Sequence, residues 1–496
     1  MGFALTEVAV GVNAKKIQAY VEKDTRGNYR LFAAGAQNKL WITNATHGGL
    51  VAVVARIEKG GHDIGLFILE LPEEDVCDER SDYEFRCESS SVAAFAPNHN
   101  SRLHFRNFPI PRANRVPADG VEVLFYCLRM GRCMLAAMTA GYQRMLARDA
   151  SAYALRRQGV GGPIIRHELP RLALGSMLGG ALMTRALAFL SLKQDEDGVD
   201  LAGLRDLTKS ASAQAGLESM IACEHVLGGR SFDRNSRVNA ARDNLHLFGV
   251  VEGEDNMIRM GMVRDVTARF VDSYLAGMLS VLARLNEVKG SGGGRHAEPV
   301  LRLGLREWVQ RPGDCARAIL GVFSQRESWM LLAWAIRNAA LDLVNVPLRL
   351  VPASLLPRYR RLPKKLAIHA RFAERELRRL RWTYLRLSVV LQLELTRAQI
   401  ILMRFGLCIE HLTSMLVICC HAALQDESQH AVADLQARLI RRKFEAVRLP
   451  VSLRGLQNLR KAVAEVGDQI EAGSSSLLDG IDAEQFAHPW DQPDGR

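Results

Sequence analysis

The chain has 496 residues, of which 48% are hydrophobic and 24% are charged, and its formal net charge is +11. This composition excludes global disorder, and the length predicts more than one domain. The positive charge favours anionic partners, such as nucleic acid, anionic lipid or phosphorylated cofactors. The nine cysteines are scattered and contain no C-x-x-C pair. They therefore indicate reduced, buried thiols, and we expect neither a disulfide framework nor a metal site.

The chain begins with a region of strand character that extends to about residue 116. Residues 50–57 and 64–69 are short, rich in β-branched side chains and bounded nearby by Gly, Asn or Pro. Beyond residue 116 the pattern changes to long segments rich in Ala, Leu and Met. Their periodicity predicts helices at 121–146, 168–192 and 201–227, and a further helix from 255 to about 285.

The C-terminal part of the chain has a different organisation. The Gly-rich segment 290–294 predicts a flexible linker, and residues 300–466 are again helical, with four prolines between positions 347 and 363. The Ser-, Gly- and Asp-rich tail predicts disorder. The most apolar stretch, 412–424, predicts a buried helix. We expect no transmembrane helix in the chain, because even this most apolar stretch is too short to cross a bilayer.

Residues 358–386 form a basic stretch with eleven Arg or Lys residues against two glutamates. Apolar residues are interleaved among these charges, which predicts an amphipathic helix; they are Leu366, Phe372, Leu377, Leu380 and Tyr384. Three interpretations stay open for this helix. It can pack on its own domain, lie on anionic lipid as a peripheral membrane contact, or bind nucleic acid. We expect no sequence-specific DNA binding, because no helix-turn-helix or zinc pattern occurs.

Four sets of short segments carry the residues that suggest chemistry. They are F-A-L-T-E at 3–7, K-L-W-I-T-N at 39–44, two arginine segments at 131–132 and 153–164, and the glycine turn at 223–229 together with V-E-G-E-D-N at 251–256. Together these segments resemble the acyl-CoA dehydrogenase family, which includes the acyl-CoA oxidases. Each segment occurs once, in the order of the family and on the expected type of element.

The resemblance implies a flavin site on the strand region. Residues 3–7 resemble the family segment that lies along the flavin, so Thr6 would contact FAD, although Val8 and Val12 replace the usual proline and serine. In K-L-W-I-T-N, the resemblance places Trp41 beside the isoalloxazine ring and the hydroxyl of Thr43 near flavin N5. A hydroxyl satisfies a polar ring edge, and an aromatic face excludes water.

On the helical side, the resemblance assigns roles to two arginines. Arg132 corresponds to the family arginine near the coenzyme A portion of the substrate. Arg157 corresponds to the arginine that reaches the FAD pyrophosphate of a neighbouring subunit, although Gly159 and Val160 replace the usual Gln and Phe. The planar donor fork of a guanidinium matches phosphate oxygens, which suits this second role.

The last segments suggest the catalytic residue. Residues 223–229 resemble the Q-x-x-G-G turn, with His225 in place of the glutamine, and Gly228 and Gly229 would let backbone amides approach the cofactor. The resemblance makes Glu252 the base that removes the α-proton of an acyl-CoA thioester while hydride leaves the β-carbon for flavin N5. The residues after Glu252 are closer to the E-G-D-N form of oxidase-like members.

The predicted fold class is therefore α+β and multidomain. We expect a small β-barrel-like middle domain at 1–116, a four-helix bundle of the acyl-CoA dehydrogenase type at 117–288 and a linker at 289–296. A further all-α extension is expected at 297–472, and a disordered tail at 473–496.

The predicted function is that of an FAD-dependent acyl-CoA dehydrogenase. The alternatives are a catalytically impaired or non-catalytic homologue with a binding or assembly role, and an acyl-CoA oxidase. The resemblance also implies an acyl-CoA substrate, an electron-transfer flavoprotein as acceptor and a homodimer or homotetramer. The expected location is mitochondrial in a eukaryote and cytoplasmic otherwise.

Overall fold

The computed structural model describes residues 2–11, 16–78, 80–95, 98–193, 201–274, 313, 320–321, 324–348 and 350–474. The predicted linker at 289–296 lies outside the described residues, as does the predicted tail apart from its first two residues. The chain forms two compact units. The first consists of Met1–Arg132, Phe232–Glu254 and Gln469–Arg496, and the second of Cys133–Ser231 and Asp255–Asp468.

The first unit contains an eight-stranded sheet. Its strands are β1 (Gly2–Ala4), β2 (Tyr20–Lys23), β3 (Tyr29–Ala33), β4 (Lys39–Thr43), β5 (Leu50–Arg56), β6 (Ile64–Glu70), β7 (Glu84–Ser89) and β8 (Asn100–Ile110). The strands follow the order β1-β5-β2-β3-β8-β4, with β6 paired to β5 and β7 paired to β8. The Leu40 amide donates to the Thr6 carbonyl at 3.0 Å, so the chain after β1 meets β4 and nearly closes the sheet into a barrel.

Alternation of side chains builds the core of this unit. Along β3, Tyr29, Leu31 and Ala33 are buried, whereas the residues between them are partly exposed, as the period of two in a strand requires. Strand β5 is buried on both faces, because its alternate residues contribute to two different apolar clusters. The short, β-branched segments of the sequence therefore form one continuous sheet over a buried apolar cluster.

The helices follow the strands in the chain. They are α1 (Gly120–Arg156), α2 (Glu168–Ser191), α3 (Ala202–Leu227), α4 (Arg237–Leu247), α5 (Asp255–Tyr274), α6 (Arg326–Leu348), α7 (Lys364–Leu391), α8 (Gln399–Ala422), α9 (Glu427–Val447) and α10 (Arg454–Glu471). Helix α1 begins after Asp119, whose carboxylate accepts the amides of Val121 and Glu122 at 2.8 and 3.0 Å, as an N-cap does. Between α1 and α2 lies a short exposed hairpin of β9 (Gln158–Gly159) and β10 (Gly162–Pro163).

One apolar core holds the second unit together. It contains residues of α2, α3 and α5 as well as residues of α7, α8 and α9. Inside it, Arg259 on α5 binds both carboxylate oxygens of Glu410 on α8, at 2.7 and 3.0 Å, and the Ser210 hydroxyl donates to the same carboxylate at 2.6 Å. This bidentate, hydrogen-bonded geometry is the one that makes a buried ion pair tolerable.

The architecture confirms the predicted α+β fold class, with a small barrel-like sheet before the helical region. The predicted domain boundaries stay a prediction. Within the second unit, however, helices from both sides of the predicted linker share the one core.

The predicted amphipathic helix in the basic stretch corresponds to α7. Its residues Leu366, Phe372, Leu380 and Tyr384 are buried in the core of the second unit, and Leu377 is partly buried against it. Several of its arginines bind groups of the protein itself, as Arg386 does with the carbonyls of Pro450 and Val451. These apolar side chains are therefore not available to lipid, and a membrane contact of this region would depend on others.

Four described helices, α1, α2, α6 and α8, are long and apolar enough to cross a membrane by length and composition. This differs from the expectation that no such helix occurs, which rested on the short stretch 412–424 alone. The helix α8, which contains most of that stretch, begins earlier, at Gln399. The apolar stretch 412–424 lies mostly in α8, where Leu412, Met415 and Ile418 are buried, as predicted. None of the residues in the apolar window of α6 is buried.

Candidate active site

Glu252 lies in the turn between α4 and α5, in the first compact unit. Its φ is +60°, and that of the following Gly253 is +103°. A left-handed conformation at a non-glycine residue is uncommon and is held only when the surroundings compensate for its cost. The turn thus fixes the backbone of Glu252, which the sequence predicts to be the base.

The carboxylate of Glu252 packs directly on the backbone of α1. A β-carbon at position 131 would lie only 2.9 Å from Oε1 and 3.0 Å from Cδ of Glu252. The carboxylate therefore occupies space that any side chain at position 131 would fill. Glycine is otherwise unfavourable in the middle of a helix. The Oε2 atom is buried, so at least one oxygen of the carboxylate is shielded from water.

Arg132 lies next to this glycine and also contacts the turn. Its Nε donates a hydrogen bond to the main-chain carbonyl of Glu252 at 3.0 Å. The two residues are 120 positions apart in the chain, so the fold brings together two residues that the sequence predicted for different roles. The sequence-based role of Arg132 near coenzyme A stays a prediction, and the structure adds a contact to the base.

Cys127 lies one helical turn before Gly131, on the same face of α1. Burial raises the pKa of its thiol, and the negative charge of Glu252 raises that pKa further. The thiol thus remains protonated beside the carboxylate. Sequence reasoning missed this neighbour, because a single cysteine in a long helix carries no motif of its own.

Strand β4 presents the predicted flavin residues at an irregularity. Trp41 has a φ of +54°, and the register between β4 and β8 shifts between Lys39 and Ile42. The bulge turns the indole out of the sheet, and Trp41 is 61% exposed. Two residues on, the Thr43 hydroxyl hydrogen-bonds to Oδ1 of Asn100 at 2.7 Å. An exposed aromatic face and an oriented hydroxyl therefore occur two residues apart on one strand.

A buried ion pair joins the two motifs of the sheet. Nζ of Lys39 lies 2.9 Å from Oε1 of Glu7, and both side chains are fully buried. Glu7 also accepts the amides of Gln18 and Ala19, at 2.8 and 3.0 Å. Both charges belong to the quoted motifs, as the Glu of F-A-L-T-E and the Lys of K-L-W-I-T-N. The sequence analysis assigned no role to Glu7 or Lys39. Their positions in these two motifs were the only indication that they could form a pair.

Four predicted residues lie in the second unit. Arg157 is exposed at the end of α1, and its carbonyl accepts the Ile164 amide across the β9–β10 hairpin at 2.8 Å. His225 is exposed in the last turn of α3. Gly228 ends that helix with a φ of +55°, which favours glycine, and open space surrounds the β-carbon positions of both Gly228 and Gly229.

The chain is similar to known acyl-CoA dehydrogenases. Residues 118–267 match the family described as acyl-CoA dehydrogenase, C-terminal domain. The chain is 24% identical over 277 residues to an acyl-CoA dehydrogenase of Alternaria alternata, covering 53% of this chain and 61% of that protein. It is 22% identical over 268 residues to the human very long-chain specific mitochondrial acyl-CoA dehydrogenase, covering 52% of this chain and 39% of that protein.

Two further comparisons concern function class and fold. The peroxisomal acyl-coenzyme A oxidase 2 of Arabidopsis thaliana is 25% identical over 329 residues, which cover 56% of this chain and 46% of that protein. The solved acyl-CoA dehydrogenase of Bacillus anthracis, in complex with FAD, shares the fold with a TM-score of 0.57 at 16% identity, covering 93% of this chain and 71% of that chain.

The chain spans about 40–60% of the length of the curated relatives just described. The matched range 118–267 includes α1 to α4 and most of α5, and with them the Gly131, Arg132 and Glu252 positions. Residues 118–267, less than a third of the chain, therefore correspond to the C-terminal domain of the acyl-CoA dehydrogenase family.

Proposed function

We propose that this chain is an FAD-dependent acyl-CoA dehydrogenase, which forms an α,β double bond in an acyl-CoA thioester with Glu252 as the base. The observation that carries this proposal is the carboxylate of Glu252 held against α1 at Gly131, with its Oε2 atom buried. A base of this kind needs a fixed position and little water around it, because a thioester α-proton is only weakly acidic.

The chain's own residues support the binding of a flavin. The exposed Trp41 indole offers a flat apolar face for a planar ring, and the Thr43 hydroxyl can contact a polar ring edge. Open space beside Gly228 and Gly229 leaves the backbone accessible to a large anionic ligand. In the first unit, Thr6 is proposed to contact FAD together with Trp41 and Thr43. In the second unit, Arg157 and His225 are proposed FAD contacts together with the two glycines. When bound, FAD supplies the acceptor for the hydride of the substrate β-carbon.

The protein contributes the proton chemistry. Glu252 would accept the α-proton through its carboxylate, while Gly131 and Arg132 keep the carboxylate and the backbone of the turn in place. Arg132 lies beside this turn and would also meet the coenzyme A portion of the substrate. A carboxylate positioned in this way avoids part of the entropic cost of proton transfer.

The experiment begins with the colour of the purified protein. Bound FAD makes it yellow, and a saturated acyl-CoA should bleach the flavin absorbance. The Glu252→Gln variant should retain the flavin and lose most of the bleaching rate, by about a hundredfold or more for a lost general base. Glu254→Gln, two residues away in the same turn, serves as the control and should bleach normally. Unchanged bleaching after Glu252→Gln would remove Glu252 as the base.

Two alternatives have their own discriminating results. An acyl-CoA oxidase is favoured by the segment 252–256 and by the plant oxidase among the relatives; rapid reduction of oxygen to peroxide after bleaching would support it. A non-catalytic homologue would leave the flavin oxidised with every acyl-CoA. We further propose that the reduced flavin passes its electrons to an electron-transfer flavoprotein and that the protein is a homodimer or a homotetramer. The proposed location is mitochondrial in a eukaryote and cytoplasmic otherwise.

A further inference from the structure

Helix α10 is anchored to the protein through its first turns. Leu456 is buried in the apolar core of the second unit, and a guanidinium nitrogen of Arg460 lies 2.7 Å from a carboxylate oxygen of Glu394. From position 461 to position 471, by contrast, every residue of the helix is exposed. A short helix without packing is only marginally stable in water, so a partner that covered one side of this half would stabilise it.

The exposed half carries a strip of apolar side chains. Leu459, Val463, Val466 and Ile470 follow one another at intervals of four, three and four residues, and they are between 48% and 55% exposed. The buried Leu456 lies three residues before Leu459, which completes a 3-4-3-4 spacing. This is the spacing of the a and d positions of a coiled coil, which face a second helix. The four exposed residues are called the α10 strip below.

The residues on the two sides of the α10 strip are small. In the coiled-coil spacing, Ala462 and Gly467 occupy flanking positions, one on each side of the strip. Nothing lies within 4 Å of the β-carbon position of Gly467 in a single copy of the chain, and glycine is otherwise unfavourable inside a helix. Small side chains beside an apolar seam allow two helix axes to come close together. The surface is therefore shaped for another helix.

The charges of α10 are divided between its two halves. Its three basic residues precede position 462 and its three acidic residues follow position 464; they are Arg454, Arg460, Lys461, Glu465, Asp468 and Glu471. In an antiparallel pair of such helices, the basic half of each lies beside the acidic half of the other, and the helix dipoles also oppose each other. A parallel pair would place like charges together. The charges sum to zero, so α10 has no net attraction for an anionic surface.

We propose that α10 pairs with the α10 of a second copy of the chain in an antiparallel two-helix contact. The helix supplies both sides of this contact, because its charge pattern complements itself. Centred on the α10 strip, the pair places Leu459 opposite Ile470 of the partner subunit and Val463 opposite Val466 of the partner subunit. Each layer then joins an a position to a d position.

The contact is short. The paired segments extend over roughly 17 Å of each helix at 1.5 Å per residue, which is less than a permanent interface needs. We therefore expect an association that depends on protein concentration. The inference deepens the proposed function, since it names a place where two copies of the proposed homo-oligomer meet, and it does not rest on the flavin chemistry.

The first test measures the mass of the full-length protein by analytical ultracentrifugation over a range of concentrations. The wild-type mass should rise with concentration. Val463→Gln/Val466→Gln should weaken this association at least about tenfold, because two large apolar side chains leave the contact. Both positions are exposed and glutamine is a better helix former than valine, so α10 should be retained. Flavin content and acyl-CoA-dependent bleaching should be the same in the variant as in the wild-type protein.

A matched control lies on the same helix. Ala464 is exposed and lies outside the a and d positions. Ala464→Gln also adds an amide to α10, yet it should leave the dependence of mass on concentration unchanged.

The second test determines the orientation of the two helices. The variants Leu459→Cys and Ile470→Cys are mixed and gently oxidised. In the antiparallel pair, a disulfide should join position 459 of one chain to position 470 of the other, because residues in one layer come within disulfide range. Mass spectrometry of the linked peptides identifies this bond and separates it from bonds of the native cysteines.

Three results would overturn the proposal. One is an equal mass of the wild-type protein and the Val463→Gln/Val466→Gln variant at every concentration, which would leave a homo-oligomer through other surfaces possible. Another is disulfides that join 459 to 459 and 470 to 470, because these would indicate a parallel pair. The third is a wild-type mass of a single chain throughout, which would also remove the proposed homo-oligomer. The flavin chemistry is tested separately by bleaching and would survive all three.

Discussion

Gly131 is the single residue on which the position of the proposed base depends most directly. A side chain there would begin 2.9 Å from Oε1 of Glu252, closer than ordinary contact distance. The carboxylate would have to rotate away, or the turn that carries it would have to shift. In both cases the carboxylate of Glu252 would move, although it would remain a carboxylate and could still act as a base.

We therefore expect Gly131→Ala to slow acyl-CoA-dependent bleaching by about tenfold to a hundredfold, because small displacements of a catalytic group carry large kinetic costs. The flavin content and helical circular dichroism should be unchanged. The matched control is Gly141→Ala in the same helix, since open space surrounds its β-carbon position. It should keep full activity and gain up to about 1 kcal/mol of stability. Equal activity of both variants would show that Gly131 does not position the carboxylate.

The sequence predicted functional roles for Glu252 and Arg132. It could not predict which backbone conformation and which hydrogen bonds fix the positions of these two residues. A motif records which residues occur, whereas the left-handed φ of Glu252 and the bond from Arg132 to its carbonyl depend on residues 120 positions apart. The same applies to Trp41. Nothing in K-L-W-I-T-N predicts that a bulge turns the tryptophan outward, because bulges arise from the pairing of β4 with β8.

At the scale of elements, the Glu7–Lys39 pair connects the segment after β1 to β4. Nζ of Lys39 also donates to the carbonyl of Val54 at 2.8 Å, so one ammonium reaches β5 as well. Burial lowers the pKa of Lys39, and the adjacent negative charge of Glu7 acts in the opposite direction. The near-closure of the barrel therefore depends on a charged pair inside the protein.

Removing one member of this pair should be costly. We expect Lys39→Met to lower the free energy of unfolding by about 3–5 kcal/mol, because Glu7 would remain buried without its ammonium partner. The double variant Glu7→Gln/Lys39→Met should recover part of that loss. The exposed Lys23 on β2 gives the control, and Lys23→Met should change stability by no more than about 0.5 kcal/mol. Urea unfolding of the wild-type protein and the three variants measures these free energies. If Lys39→Met lowered the free energy of unfolding no more than Lys23→Met does, the expectation would be contradicted.

Element types and bounds were the most predictable part of the fold. The predicted helices at 168–192 and 201–227 agree with α2 and α3 to within one residue at each end, because regular periodicity is local information. The partners of those helices were not predictable in this way. Periodicity shows that α7 has an apolar side, but not that this side meets α2, α3 and α8 in one core. Nor does it show that Ile336 and Leu343 of α6 are exposed while Trp334 of the same helix packs on Phe270.

At the scale of the whole molecule, buried charges connect distant parts of the second unit. Asp255, the first residue of α5, lies 2.8 Å from Nζ of Lys209 on α3, and Arg259, one turn later, binds Glu410. Burial raises the pKa of Asp255 to about 6, although Lys209 and Arg259 oppose that change. Proton binding to this carboxyl is therefore linked to the stability of the unit.

The sign of the linkage follows from the raised pKa. Between about pH 4 and pH 6 the folded protein binds more protons at Asp255 than the unfolded chain does, so this group's contribution is present at low pH and lost as pH rises through 6. The unfolding free energy of the wild-type protein, relative to Asp255→Asn, should fall by roughly 2 kcal/mol from pH 4 to pH 7. Denaturation at several pH values measures this difference, and parallel pH curves for the two proteins would contradict it.

The Arg259–Glu410 pair also affects how the chain is made. Its two residues are 151 positions apart, and a ribosome that adds roughly 5–20 residues per second needs on the order of 10–30 seconds to cover that distance. In the later part of this interval α2, α3 and α5 have left the exit tunnel, while α8 is not yet complete. Their apolar sides then face water, and the Arg259 guanidinium has no carboxylate to bind. We therefore expect the nascent chain to be prone to aggregation until α8 is available.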